Sequence, residues 1–182
     1  HIILDQIVDK VHSNNEKIHI LGTQENRYIG WNAKGNFGIK LREVQKFLEK
    51  PELNNDDIVL FTDAYDVIYR GDQETIKKRF EKMNHPIIFG AETECNPDPS
   101  KTIQYKIRDE EFSYLNSGMF IGRVWALRTC MNDYKYNDQD DDQLFWTIKF
   151  LNNKNMIKLD YKNELFFNSY NMNNEFFDYD DN

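Results

Sequence analysis

The sequence predicts an α/β sandwich with a mostly parallel central sheet. Three observations carry that expectation. Short apolar runs alternate with segments of helical periodicity, the order that layers helices on a sheet. Two of the runs, Ile58-Val-Leu-Phe-Thr62 and Ile87-Ile-Phe-Gly-Ala91, are apolar on both faces, as strands covered from both sides are. Both runs end in carboxylates: Asp63 and Asp66 follow the first, Glu92 and Glu94 the second. In open α/β sheets, ligands bind at the carboxyl ends of the strands.

The elements follow in chain order. Residues 2–12 place Ile3, Leu4, Ile7, Val8 and Val11 at helical spacing. Lys17-Ile-His-Ile-Leu21 reads as a short strand closed by Gly22. Residues 23–36 are polar, carry Gly30 and Gly35, and read as a loop. A helix runs from Phe37 to Lys50 with the stripe Phe37, Leu41, Val44 and Leu48, and Pro51 stops it. After the strand at Ile58, Asp72 is placed to cap a helix with the stripe Ile76, Phe80 and Met83. The strand at Ile87 opens a long polar loop over residues 92–113 with Pro97 and Pro99; loops of that length are usually functional or mobile. A polar turn, Tyr114-Leu-Asn-Ser-Gly118, then feeds a strand at Met119-Phe-Ile-Gly122. Val124–Met131 and Leu144–Leu151 read as helices, and Met156–Leu159 and Leu165–Phe167 as strands. This organisation is one domain over residues 1–170, with a mobile acidic tail over 171–182 and no internal repeat or linker.

Composition narrows the function classes. A chain of 182 residues fits a single domain, and 40% hydrophobic residues, with 13 Phe, 10 Tyr and 3 Trp, suffice for a core. No apolar run approaches the ~18–20 residues of a membrane span. Asp5 comes too early for a secretory leader to be expected. A net charge of −8 argues against a general nucleic-acid binder, which needs a basic stripe. It also means that an anionic ligand would need local positive charge, from a few Lys or Arg side chains or from a metal. Cys95 and Cys130 make neither a disulfide framework nor a zinc site. His12, His19 and His85 share no spacing, so a Ser-His-Asp arrangement has no support.

Four segments carry chemistry. Asp63-Ala-Tyr-Asp66 supplies two hard oxygen donors, suited to Mg²⁺ or Mn²⁺ with phosphate and water completing the shell. The same pattern serves equally as a strand-end turn with one solvated aspartate. Asp138-Gln-Asp140-Asp141-Asp142-Gln143 fits a helix N-terminus, which accounts for one or two acids. Four acids in five positions exceed a cap, and a cation, a substrate or a solvated charged face are the open alternatives. Asn116-Ser117-Gly118 is either an ordinary turn or a backbone-and-amide cradle for a sugar or phosphate. Gly90-Ala-Glu92-Thr-Glu94-Cys95-Asn-Pro97 is a strand ending in acids or a plain loop start. Lys34, Lys40 and Arg42 flank the glycine-bearing loop, where they could meet phosphates or form a solvated helix face.

Taken in order, Phe61-Thr-Asp-Ala-Tyr-Asp-Val-Ile68, Phe89-Gly-Ala-Glu-x-x-Cys-x-Pro97, Tyr114-Leu-Asn-Ser-Gly-x-Phe-Ile-Gly122 and Asp140-Asp-Asp-Gln-Leu-Phe145 resemble the glycosyltransferase domain of the procollagen lysyl hydroxylase/glycosyltransferase family, from about residue 18 to about residue 168. The resemblance implies a GT-A-type Rossmann-like fold, Mn²⁺, a UDP-galactose or UDP-glucose donor and a collagen-like acceptor bearing hydroxylysine or galactosyl-hydroxylysine. It assigns Asp63 and Asp66 to the metal. Tyr65 would pack on the uridine, with Thr62, Lys40, Ser117 and Gly118 around the donor. Asn116, Asp141 and Asp142 would serve sugar transfer. The endoplasmic reticulum lumen is the compartment it implies, or a viral or protist equivalent. The chain departs from the family at Asn96, where a Trp is expected, and at Gly118-Met119 in place of Gly-Gly. Trp31 stands out of register with a family Trp, and no His-Gly-Asn-Gly segment supplies a third metal ligand. The domain is therefore expected to lack the family's first strand and its C-terminal metal-ligand segment. The alternative to an enzyme is a non-catalytic scaffold of the same fold that binds a nucleotide or a partner.

Overall fold

The computed structural model describes residues 18–30, 35–63, 66–105 and 110–169. The helix expected over 2–12 and the tail expected over 171–182 lie outside the described residues. Among the described residues, four strands form one sheet: β1 (Ile58–Thr62), β2 (Ile87–Glu92), β3 (Tyr114–Arg123) and β4 (Ile157–Leu159), in the order β1-β3-β2-β4. Four helices flank it: α1 (Gly38–Leu48), α2 (Gln73–Met83), α3 (Val124–Met131) and α4 (Asp142–Asn152), with a 3₁₀ turn over Pro99–Gln104.

The sheet corrects the expected fold class. It is mixed and mostly antiparallel, not a mostly parallel Rossmann-like sheet. β3 lies between β1 and β2 and runs against both, and only β2 and β4 pair in parallel. The cause lies in the 92–113 loop. A parallel neighbour needs a crossover, usually a helix, to carry the chain back across the sheet. Among its described residues this loop holds only the 3₁₀ turn, so the chain re-enters at the end where it left. Helical crossovers do serve the other connections, and β1, β2 and β4 all point the same way.

Two expected strands do not form. Residues 18–21 have no ladder partner, and Ile20 leaves 66% of its surface exposed. The Leu165 and Phe166 N–H groups donate to the carboxylate of Asp160, at 2.6 and 2.8 Å, instead of to a strand. β3 differs the other way, starting at Tyr114 where a turn was expected. The turn signal was real, because the ladder to β2 is interrupted there: Phe89 pairs with Phe120, but Gly90 pairs with Asn116. Ser117, Gly118 and Met119 bulge out of that ladder while β3 stays paired to β1 through Thr62 and Met119.

Alternate residues of the sheet feed two cores, as the period of two requires. Ile87, Phe89 and Phe120 meet Leu41, Val44 and Leu48 of α1, Leu127 of α3 and Trp146 of α4. Ile88 and Ile121 meet Phe80 of α2 and Phe166. Phe120 stacks between Phe61 and Phe89 at 4.8 Å from each, and Trp146 closes on Phe89 at 5.0 Å. α2 is capped as expected, with Asp72 accepting from the Thr75 N–H at 2.7 Å. Cys95 and Cys130 are buried free thiols. No helix among the described residues is long and apolar enough to cross a membrane.

One glycine sets how α1 meets the acidic segment. A Cβ on Gly38 would overlap the carbonyl oxygen of Asn137, so only glycine lets α1 close on that loop. In a helix, Gly→Ala otherwise stabilises by up to about 1 kcal/mol. Here backbone overlap reverses the sign: Gly38→Ala is expected to lose about 2 kcal/mol, read as a lower urea midpoint with an unchanged slope.

Candidate functional site

The carboxyl ends of β1 and β2, the bulge of β3 and the start of α4 converge on one edge of the sheet. Lys40, on the first turn of α1, reaches into this edge. Its Nζ lies 2.8 Å from Asp63 Oδ1, 3.1 Å from Asp63 Oδ2 and 2.8 Å from Asp142 Oδ2. The rings of Phe37 and Phe61 stand at 6.0 and 5.9 Å from the ammonium. Burial pulls the ammonium toward neutrality, but Asp142 and Asp63 outweigh it, so its pKa stands above the ordinary 10.5. Burial pushes the Asp63 carboxyl above its usual value; Lys40 opposes this, and Asp142 and Asp66 add to it.

Asp142 opens α4 and is buried. Its Oδ2 accepts from Ser117 Oγ at 2.9 Å as well as from Lys40. A carboxylate there also meets the positive end of the helix. Asp141 is the N-cap, accepting from the Leu144 N–H at 2.8 Å, and burial raises its carboxyl despite that bond. Asp138 turns to the surface, where it pairs with Arg27 at 2.6 Å and accepts from the Tyr136 hydroxyl. Three of the four acids thus divide into a surface ion pair, a helix cap and one buried site carboxylate; the fourth, Asp140, donates its backbone N–H to the Asn137 carbonyl.

The bulge supplies the rest. Asn116 Nδ2 donates to Glu92 Oε2 at 3.1 Å, and its Oδ1 accepts from the Gly118 N–H at 2.9 Å. The Ser117 N–H donates to Gln143 Oε1 at 3.1 Å, and Gln143 Nε2 donates to Glu92 Oε1 at 2.6 Å and to the Asn96 carbonyl at 3.1 Å. The Gly118 carbonyl accepts from the Asp63 N–H at 2.8 Å, and a Cβ on Gly118 would stand 3.1 Å from Asn116 Oδ1 and 3.3 Å from Asp63 Oδ2. Lys40, Asp63, Asn116, Ser117, Gly118 and Asp142 therefore share one network. Thr62 ends β1 beside it, paired with Met119. Asp66 follows as an exposed residue, and Tyr65 lies outside the described residues. The residues that sequence reasoning left out of the site are Glu92 and Gln143. A glutamate ending a strand in which every residue is buried was the signal for the first. Nothing in a helix-start glutamine signalled the second.

The donor set bears on a metal. Among the described residues, no group of three or more His, Cys, Asp or Glu side chains is disposed to hold one. The expected arrangement needs only two carboxylates. Asp63 keeps 34% of its side chain exposed and Asp66 is exposed, so both present hard oxygens at the β1 terminus. That chemistry fits a divalent cation whose other positions are taken by ligand and water oxygens.

Burial also raises the Glu92 carboxyl above its ordinary 4.5, against the bonds from Asn116 and Gln143. Above 4.5 and below the raised value, the folded chain binds a proton that the unfolded chain has lost. The contribution of Glu92 to stability therefore falls as pH rises through that window. Glu92→Gln should remove this slope. Its lost bonds shift stability by a constant, whereas the difference between wild type and variant changes with pH. Urea unfolding from about pH 4 to about pH 7 should show wild type losing ground to the variant as pH rises; a flat difference would mean that Glu92 titrates normally.

Comparison with known proteins follows the same motifs. Residues 4–178 match the family described as the PLOD GT domain. The chain is 36% identical over 135 residues to the multifunctional procollagen lysine hydroxylase and glycosyltransferase LH3 of Homo sapiens, covering 72% of this chain and 18% of that protein. It is 33% identical over 159 residues to procollagen-lysine,2-oxoglutarate 5-dioxygenase 1 of Mus musculus, covering 85% and 22%. It is 32% identical over 158 residues to the multifunctional procollagen lysine hydroxylase and glycosyltransferase of Caenorhabditis elegans, covering 83% and 21%. The matched region is thus about a fifth of the length of these relatives. The match spans nearly the whole chain and all four acid-bearing and glycine-bearing motifs, and the chain belongs to the family of PLOD glycosyltransferase domains.

Proposed function

We propose that this domain transfers a hexose from UDP-galactose or UDP-glucose to an acceptor hydroxyl, with Mn²⁺ held by Asp63 and Asp66. The observation that carries this reading is the Asp63–Lys40–Asp142–Ser117 network at the strand ends of a chain in a glycosyltransferase family. Bound Mn²⁺ would neutralise the diphosphate and the charge that develops on the leaving group. In a chain of net charge −8, Lys40 is the side chain that brings positive charge to an anionic donor at this edge. In this reading Thr62, Ser117 and Gly118 line the donor side of the network, and Tyr65 would supply the ring for the uracil.

The two acids of α4 divide by environment. Asp142, held by the Lys40 ammonium and the Ser117 hydroxyl, suits stabilisation of a cationic sugar. Asp141, with one oxygen engaged as the cap and its carboxyl raised, suits acceptance of the acceptor's proton. Asn116 is held at both ends, by Glu92 and by the Gly118 N–H, and orients toward the transferred sugar. The relatives' names join procollagen lysine hydroxylase to glycosyltransferase, which supports a collagen-like acceptor; hydroxylysine or galactosyl-hydroxylysine as the accepting group and the endoplasmic reticulum lumen as the compartment complete the proposal.

The test is hexose transfer to deglycosylated collagen with Mn²⁺ and either UDP-sugar. Transfer should require Mn²⁺, and Asp66→Ala should lower it on the order of 100-fold. Unchanged transfer by Asp66→Ala would refute the metal assignment. UDP binding with no transfer from either donor would favour the non-catalytic scaffold.

A further inference from the structure

We infer that Lys40 is the built-in counter-cation of Asp63 and Asp142, and that a divalent cation and Lys40 compete for Asp63. The inference rests on the proposed metal assignment and adds an order of events to it. The ammonium engages both oxygens of Asp63, at 2.8 and 3.1 Å, and a third oxygen on Asp142 at 2.8 Å. Those two Asp63 oxygens are the ones a metal would use. A dication on them would stand a few ångströms from a like charge in a half-buried setting, where screening is weak. The lysine must therefore leave Asp63 as the cation arrives.

The rest of the environment makes that exchange practicable. Asp142 remains as a second partner for Lys40, so the ammonium need not return to water unpaired. The Phe37 and Phe61 rings, each about 6 Å from Nζ, give the cation an electron-rich seat beside the carboxylates. A flexible four-carbon stem lets the head group swing while α1 stays docked. Before loading, Lys40 keeps Asp63 and Asp142 from repelling one another. After loading, the same ammonium is free of Asp63 and available to an anionic donor on the same edge. Cation binding would thus precede and enable donor binding, and Lys40 would oppose the first event while assisting the second.

The two effects have opposite signs, and the experiment reads both. Mn²⁺ alone is titrated into wild type and Lys40→Met, with free Mn²⁺ followed by electron paramagnetic resonance. UDP is then titrated at saturating Mn²⁺. Lys40→Met should bind Mn²⁺ about tenfold more tightly and UDP more weakly. Equal or weaker Mn²⁺ binding by the variant, with wild type binding normally, overturns the exchange and leaves the metal assignment standing. Absence of Mn²⁺ binding in both proteins overturns the metal assignment and the exchange together. Because Lys40→Met leaves two half-buried acids uncompensated, a second measurement uses wild type only. Lys40 is labelled with an amine-acylating reagent, and the modified peptide is quantified by mass spectrometry. Labelling should rise several-fold on adding Mn²⁺; unchanged labelling at saturating Mn²⁺ contradicts the release of Lys40.

Discussion

A single ammonium shared by two carboxylates organises this edge of the protein. Asp63 follows β1 and Asp142 begins α4, and Lys40 of α1 pairs with both acids. Charge removed from water is costly unless it is paired and hydrogen-bonded. One neighbouring hydrogen bond helps to meet that requirement and two contacts hold the elements in place for it. Gly38 lets α1 close on the Asn137 loop, Ser117 Oγ donates to Asp142, and the Asp63 N–H is tied to the Gly118 carbonyl. Removing the lysine would leave two acids facing each other in a half-buried setting, which is why helix, strand and loop depend on it at once.

The reversed strand explains how so many polar side chains reach one place. Because β3 runs against β1 and β2, its beginning lies beside their ends. The bulge at the Phe89/Gly90 step then turns Ser117, Gly118 and Met119 out of the ladder to β2, just after Asn116. The freed backbone groups go to side chains instead, the Ser117 N–H to Gln143 and the Gly118 N–H to Asn116 Oδ1, while Asn116 Nδ2 reaches Glu92 and Ser117 Oγ reaches Asp142. Gln143 bridges Glu92 of β2 to the bulge of β3, so the position of Asn116 is set from two elements. A regular parallel strand in this position would have spent those backbone groups on its neighbour and left the acids unconnected.

How much of this was legible in the sequence varied with how local the signal was. The helices over Gly38–Leu48 and Gln73–Met83 announce themselves through apolar stripes, Pro51 and the Asp72 cap. The strands at Ile58 and Ile87 show as doubly apolar runs, although only the second is buried throughout and the first is half-buried. Strand direction was not legible, because alternation of helices and strands says nothing about a connection that lacks a helix. The 92–113 loop was that connection, and its length without helical periodicity was the available hint. The turn signal in Asn-Ser-Gly and the strand signal in Phe-Ile-Gly were both present; the structure satisfies them together with a bulge inside one strand. At the site, a strand-end acid pointed to Asp63 and the acid cluster at a helix start to Asp142. The ion triad was not readable, since Lys40 is 23 residues from Asp63 and its reach depends on how α1 docks.

The central claim is that these strand-end acids form a cation-dependent site for a nucleotide diphosphate. Calorimetric titration of UDP into the wild-type chain, once with Mn²⁺ and once with excess chelator, tests it most directly. The account predicts a saturable heat with Mn²⁺ and none with chelator. Equal binding in both conditions would contradict a role for the cation at Asp63 and Asp66, and absence of binding in both would contradict the donor site itself.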